Sequence, residues 1–231
     1  MISIIVPVLN EEAGIAVLLR GLQRFRHSDA EIIVVDGGSS DRTVAAAGPL
    51  ADRIVSTTAG RSRQMNAGAA LARGDSLLFL HADTTLPDSA CDDIKQALSN
   101  KACVWGRFDV RIDSQNAILH AVSLLMNFRS RLTGIATGDQ AIFVRRDAFE
   151  RIAGFPEIAL MEDIAISRSL KQLSPPACIP AKAITSARRW ERDGALRTIL
   201  LIWQLRLRFF FGADPDRLAE RYGYTPYRRG S

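Results

Sequence analysis

A chain of 231 residues, 47% hydrophobic and 24% charged, holds enough apolar material for one substantial core, which argues against a disordered chain and for a single globular catalytic domain. Thirty Lys and Arg against 25 Asp and Glu leave a net charge of +5, so anionic partners are favoured: phosphates, nucleotides, nucleic acid or anionic lipid. Cys91, Cys103 and Cys178 are odd in number, far apart and without a CxxC pair, which speaks against a zinc site or a disulfide framework and for reduced, cytoplasmic thiols.

The opening "MISIIVPVLN" is strand-like, with no basic region before it and no small-residue cleavage site after it, so secretion is not expected. Short β-branched runs then alternate with helical patterns: "SIIVPV", "GIAVLLRGLQRF", "EIIVVD", "DRTVAAA", "RIVST", "RQMNAGAALARG" and "SLLFLHAD". That rhythm predicts βαβ units and an α/β fold with a mainly parallel central sheet flanked by helices. Strands buried on both faces explain why "IIVV" and "LLFL" are continuous rather than alternating. Gly74 is expected to cap the third helix in the left-handed conformation. Later come a strand at "ACVWGRFDV", a helix over "NAILHAVSLLMNFRSRL", a strand at "QAIFVRR" and a helix opening at "MEDIAISRSLKQL".

The segment "ALRTILLIWQLRLRFFFG" predicts a C-terminal helix that stops at Gly212, with Pro215 just beyond. Arg197, Gln204 and Arg208 fall on one face and Arg206 on another. Three arginines make it a poor membrane-spanning helix, since spanning takes about 20 mostly apolar residues. Two placements stay open: packed on the domain or on a second subunit, or lying in a membrane interface with its arginines near lipid phosphates. The expected division is a catalytic domain over 1–195 and a C-terminal helix and tail over 196–231.

Ligands of open α/β sheets bind beyond the carboxyl ends of the strands, so the polar residues after each strand are the candidates. Asp36 closes "EIIVV" ahead of Gly37 and Gly38, which can bring backbone close to a ligand, while Ser39, Ser40 and Asp41 can cap the next helix. Arg61 and Arg63 open a helix, where guanidinium groups and free N–H groups suit a diphosphate. Asp83 should stand exposed at the rim; one carboxylate with two phosphate oxygens and waters is adequate for Mg²⁺ or Mn²⁺. His81 can ligate Mn²⁺, donate to a phosphate or ribose, or simply finish its strand. Glu162 and Asp163 begin a helix, where acids also complement the helix dipole.

In order, "SIIVPVLNEE", "IIVVDGGSSDRT", "NAGAALARGDSLLFLHADTTLP", "GDQAIFVRRDAFERIAGFPE" and "MEDIAISRSLK" resemble the family 2 glycosyltransferases over roughly residues 1 to 175. "GRSRQMNAGAA" and "TGDQAIFVRR" are most similar to a bacterial subgroup labelled arsenosugar-biosynthesis-type or selenodomain-associated transferases. The resemblance implies a GT-A, nucleotide-diphospho-sugar-binding fold and transfer of a sugar from a nucleoside-diphosphate sugar to a hydroxylated acceptor, with inversion and with Mn²⁺ or Mg²⁺. It places Pro7, Asn10, Glu11 and Asp36 with its neighbour Gly37 on the nucleotide. Asp83 matches the last acid of the Asp-x-Asp element that binds metal and diphosphate, and His81 stands where many relatives have the first acid. Asp163, with Glu162 beside it, matches the acidic pair that supplies the catalytic base. Gly138, Asp139 and Gln140 lie on the acceptor side, and Arg189 and Trp190 resemble an arginine-tryptophan element of some relatives.

Three other functions share a βαβ architecture. A dehydrogenase would carry G-x-G-x-x-G where this chain has "LNEEAG", and a sugar nucleotidyltransferase would carry a glycine-rich basic loop there. A non-catalytic nucleotide-sugar or lipid-binding module would keep the fold and lose the chemistry. Dispersed arginines without an aromatic-basic motif argue against nucleic acid as a partner. The acceptor stays open among a small metabolite, a glycan and a lipid, and the expected location is the cytoplasm or the inner face of the membrane.

Overall fold

The structure, a computed structural model, describes residues 1–224. Its first half runs β1 (Ile2–Val8), α1 (Glu12–Leu22), β2 (Ala30–Asp36), α2 (Thr43–Ala47), β3 (Arg53–Ser56), α3 (Arg61–Leu71), β4 (Ser76–Phe79), β5 (Thr84–Thr85) and α4 (Ala90–Ser99). The second half runs β6 (Trp105–Asp113), α5 (Ala117–Thr133), β7 (Phe143–Arg145), α6 (Arg146–Arg151), α7 (Glu162–Lys171) and β8 (Ala177–Ser186). Three helices follow: α8 (Arg188–Asp193), α9 (Ala195–Phe210) and α10 (Pro215–Tyr222).

Every residue of β1 is buried, because alternate side chains enter opposite cores. Ile4 and Val6 pack with Ile15 and Leu19 of α1 and Ile94 of α4. Ile5 points the other way, to Met65 and Ala69 of α3 and to Ile166 and Leu170 of α7. Small residues let α3 lie close on the sheet: a Cβ on Gly68 would come within 2.4 Å of Ile5 and 2.9 Å of Val35. Gly74 does not adopt the left-handed conformation expected of it; α3 ends at Ala72 in extended backbone. It is glycine because the chain crosses tightly there. A Cβ would meet the Met1 carbonyl at 2.6 Å, and the Gly74 N–H donates to Ser3 Oγ at 2.8 Å.

The eight strands form one sheet in the order β3-β2-β1-β4-β7-β6-β8-β5. β3, β2, β1 and β4 are mutually parallel, in a register that brings Val8, Asp36 and Ser56 to the same edge. β7 runs antiparallel between β4 and β6, β8 returns parallel to β6, and short β5 is antiparallel to β8. The sheet is therefore more mixed than the strand–helix rhythm predicts. Alternation identifies strands but not their direction once the chain leaves the βαβ pattern. β8 is also hidden in the sequence, since "ACIPAKAITS" carries Pro180 and Lys182. Its register slips between Phe108↔Ile179 and Asp109↔Lys182, so Pro180 sits in a bulge, where a missing N–H is tolerated.

α5 is fastened to β6 by polar side chains. Asn127 exchanges two hydrogen bonds with the Val110 backbone, at 2.8 and 2.9 Å, and Ser123 Oγ accepts from the Ile112 N–H at 3.0 Å. α9 ends as expected near Gly212, which takes φ +82°. Its Leu205 packs with Leu218 and Ala219 of α10 against Leu160, Met161 and Ile164 at the start of α7. The tail of the 196–231 segment beyond Tyr224 lies outside the described residues. No described helix is long and apolar enough to cross a membrane.

Candidate active site

The carboxyl ends of β1 and β4 and the amino end of α3 border a cleft of about 330 Å³ lined by Pro7, Glu11, Arg61, Gln64, Asp83 and Tyr224, among others. This is the position that the parallel half of the sheet dictates for a ligand. Gly60, at φ +141°, turns the chain into α3 so that Arg61 opens the helix at the cleft. Gln64, one turn on, is buried, and its amide donates to the Val8 and Val35 carbonyls, both at 2.8 Å. It thereby ties the helix to the tips of β1 and β2. Asp83 is exposed at the rim, as its place before Pro87 predicts.

Beside this cleft lies a pocket of about 160 Å³, and the two share Arg61, His81, Asp83 and Tyr224. Its acidic wall consists of Asp139, Glu162 and Asp163. Met161, at φ +71°, directs the chain into α7 so that both acids occupy the first turn. Asp163 is held by two backbone donors, Ile164 N–H to Oδ1 at 2.7 Å and Gly138 N–H to Oδ2 at 3.0 Å. Burial, reinforced by the Asp163 charge, pushes the Glu162 carboxyl up to about 7. Asp139 moves the opposite way: burial opposes its charge, but the His81 hydrogen bond and the charges of His81, Arg61 and Arg206 hold it below its usual range. That bond runs from His81 Nδ1 to Asp139 Oδ1 at 3.2 Å.

Positive charge faces these acids from two helices. Around Arg61, desolvation works against the guanidinium, yet Tyr224, Glu162, Tyr222 and Asp139 outweigh it and raise its pKa. Arg206 of α9 lines the pocket opposite Asp163 and Asp139. Arg189 lies 3.6 Å over the Tyr222 ring and donates to the Tyr222 carbonyl at 3.0 Å, and Trp190 joins the same wall.

Other expected residues stand elsewhere. Asp36 is buried, and its carboxylate accepts from the Gly38 and Ser39 N–H groups and from Ser39 Oγ, at 2.5 Å. Gly37 abuts Gln64, whose amide would lie 3.1 Å from an added Cβ. Asn10, at φ +53°, accepts from the Ser40 N–H at 2.9 Å and borders a broader groove beside the cleft. Gln140 is fully buried and bonds Thr137 and Asn127, so it does not reach the pocket. Arg63 turns to Glu157, at 3.2 Å. Sequence reasoning missed Gln64, Thr198, Arg206, Tyr222 and Tyr224 as lining residues. Only Arg206 left a signal, as the arginine off the line of Arg197 and Arg208.

The oxygen chemistry of Asp83 suits a hard divalent cation, whereas the His81 ring has Nδ1 on Asp139 and Nε2 packed against Gly138. Among the described residues no three His, Cys, Asp or Glu side chains converge on a metal position. Asp83 would supply a cation with one oxygen, with ligand oxygens and waters completing an octahedral shell.

A half-parallel α/β sheet with a cleft at its carboxyl edge and an acid-lined pocket beside it is one of a large class of nucleotide-binding architectures. Residues 3–152 match the family described as Glycosyl transferase family 2, and the chain belongs to that family. It is 40% identical over 93 residues to a PGL/p-HBAD biosynthesis glycosyltransferase of Mycobacterium bovis, covering 37% of this chain and 36% of that one. The chain thus spans about a third of the length of such curated relatives. Its fold is the GT-A fold. A mannosyltransferase from Pyrobaculum calidifontis, solved with GDP-Man and Mn²⁺, superposes with a TM-score of 0.66 at 20% identity, over 96% of this chain and 69% of that one. TarS of Staphylococcus aureus with UDP-GlcNAc gives 0.64 at 18% identity, over 80% and 58%.

Proposed function

We propose that the chain is an inverting glycosyltransferase that moves a sugar from a nucleoside-diphosphate sugar to a hydroxyl acceptor in the cytoplasm. The observation that carries this reading is the pair of adjoining cavities: a cleft of about 330 Å³ suited to a nucleotide and an acid-lined pocket share Arg61, His81, Asp83 and Tyr224. A sugar on the diphosphate would lie at that junction, with its anomeric carbon between the leaving phosphate and the pocket.

In the proposed reaction the acceptor oxygen forms a bond to the anomeric carbon while the bond to the diphosphate breaks. Asp163 accepts the acceptor proton; its two backbone hydrogen bonds fix the carboxylate toward the pocket. Arg61 takes up charge that builds on the departing diphosphate. Asp83 would hold Mg²⁺ or Mn²⁺ with diphosphate oxygens, and such an ion supplies further charge neutralisation. Glu162 is buried in the same acidic wall, where burial and then the charge of Asp163 beside it help to keep its carboxyl protonated. Asp139 holds His81 at the seam between the cavities. Arg189 and Trp190 line the acceptor side.

Thermal-shift measurements with UDP-, GDP- and dTDP-sugars, with and without Mn²⁺, test donor class and metal dependence together, because a specific ligand raises apparent stability. One donor should stabilise the protein and Mn²⁺ should enhance the effect; no response to any donor sinks the reading. Asp163→Asn should abolish turnover of that donor and leave its thermal shift nearly intact.

A further inference from the structure

α5 is built inside out. Beyond Leu119, its buried face is polar, with Ser123, Asn127 and Ser130 turned inward, because Ser123 and Asn127 satisfy the backbone of β6. Most of its large apolar residues face solvent instead: Leu124, Phe128 and Leu132, spaced four apart, are 68%, 65% and 75% exposed. α9 lies alongside. Ala195 at its start packs with Leu119 and Val122 of α5. Farther along, burial and then the neighbouring charge of Arg206 lower the pKa of Arg129. α9 likewise turns an apolar stripe outward, with Leu200, Trp203 and Phe210 each about two-thirds exposed and Phe211 at 77%. Two neighbouring stripes of this kind exceed the scattered apolar exposure normal for a protein surface.

Charge decides what covers them. Neither helix contains an Asp or Glu, although the chain has 25; of their five arginines, Arg131 and Arg197 are exposed and Arg208 is partly so, while Arg129 is mostly buried and Arg206 turns into the acid pocket. Asp109 pairs with Arg131 from β6 at 2.8 Å. Arg168 of α7 adds a further cation at the edge, 5.5 Å over the Phe209 ring. Apolar stripes flanked by cations match the boundary between lipid chains and anionic headgroups. A second copy of the same surface would instead set basic helices against basic helices, with no acid in either to offset them.

We propose that the outer faces of α5 and α9 together form a docking surface for an anionic lipid bilayer, on which the protein sits without crossing it. The proposal does not rest on the reaction assigned above. It has a geometric consequence for that reaction. Thr198, Ile202 and Arg206, on the inner side of α9, line the acid pocket, so a docked protein holds this pocket next to the lipid surface.

The test is co-sedimentation of the whole protein with vesicles of phosphatidylcholine alone or mixed with phosphatidylglycerol, read together with tryptophan emission. Of the three tryptophans, Trp105 is fully buried and Trp190 half-buried in the pocket wall, while Trp203 is two-thirds exposed, so a blue shift on binding that Trp203→Phe removes reports Trp203 entering lipid. Binding to phosphatidylglycerol vesicles with a blue shift is expected. The pairs Leu200→Ser with Leu207→Ser (59% exposed on the same face of α9), and Leu124→Ser with Phe128→Ser, should each weaken binding by about tenfold or more, since each removes two exposed apolar side chains that would enter lipid. Circular dichroism and the donor thermal shift, measured without vesicles, should not change, which separates this surface from the donor site. Failure to bind at low salt, binding unaffected by both pairs, or a concentration-dependent dimer dispersed by the same substitutions would each overturn the proposal.

Discussion

Glu162 and Asp163 are neighbours in the chain with different tasks. Asp163 receives two backbone N–H groups and faces the pocket, whereas Glu162 is buried and its carboxyl is pushed up to about 7. A raised carboxyl favours the protonated side chain in the folded state. Its stabilising contribution is thus present below its ordinary value of 4.5 and lost as pH rises to about 7. Glu162→Gln should remove this dependence: wild type should lose melting temperature relative to the variant between those two pH values, and the difference should level off above them. A constant difference across the range would show that Glu162 does not titrate in this way. At the rim, Asp83→Ala should weaken donor binding much more than His81→Ala, because Asp83 is the free oxygen donor and His81 is already engaged with Asp139. Isothermal titration with the stabilising donor and Mn²⁺ checks the order, and the reverse order would transfer the anchoring role to His81. These positions were legible in the sequence because strand tips and helix starts are marked by abrupt changes from apolar to polar residues. Their partners were not: nothing in "TGDQ" indicates that Gly138 donates to Asp163 while Gln140 is turned into the core.

Among the elements, α3 shows how a motif serves packing and site at once. "RQMNAGAALARG" reads as a helix, yet only the folded chain shows why glycine stands at position 68, where any Cβ would collide with Ile5 and Val35. Gly68→Ala should destabilise the protein by about 1–3 kcal/mol through overpacking, measured by urea denaturation. It should also weaken donor binding, because Arg61 and Gln64 ride on the displaced helix. An alanine variant as stable as wild type would mean that α3 can lift from the sheet without strain. β8 is the opposite case. Its bulge places Pro180 and Ala181 outside the ladder, which breaks the alternation that would have marked a ten-residue strand. α9 was readable as a helix with arginines on two sides, while α5 was readable only as a helix. Periodicity reports that one face is apolar and cannot report which face the sheet will take.

Across the whole molecule, the first 90 residues follow the strand–helix rhythm closely, and they contribute the cleft's β1, α3 and β4 walls. The remaining walls come from chain segments far downstream: Gly138 and Asp139, the start of α7, the inner side of α9 and the tyrosines at the end of α10. A sequence ordered by local pattern cannot show such closure, because it depends on where distant elements dock. Tyr222 and Tyr224 are the last parts of that enclosure, with Arg189 laid on one ring and Arg61 on the other, the latter at 5.4 Å. A fragment of residues 1–195 would keep both cores of the sheet but lack these aromatic covers. It should fold cooperatively, show near-native circular dichroism, and bind donor about tenfold or more weakly, since Arg61 would lose its aromatic stacking and a shielded environment. Equal donor affinity in fragment and whole chain would confine recognition to the sheet edge. The two tyrosines also make the segment around the end of α10 a reporter: because their rings rest on site arginines, ligand arrival should be visible as a change in their ring resonances, giving a label-free signal of occupancy from residues that take no part in the bond exchange.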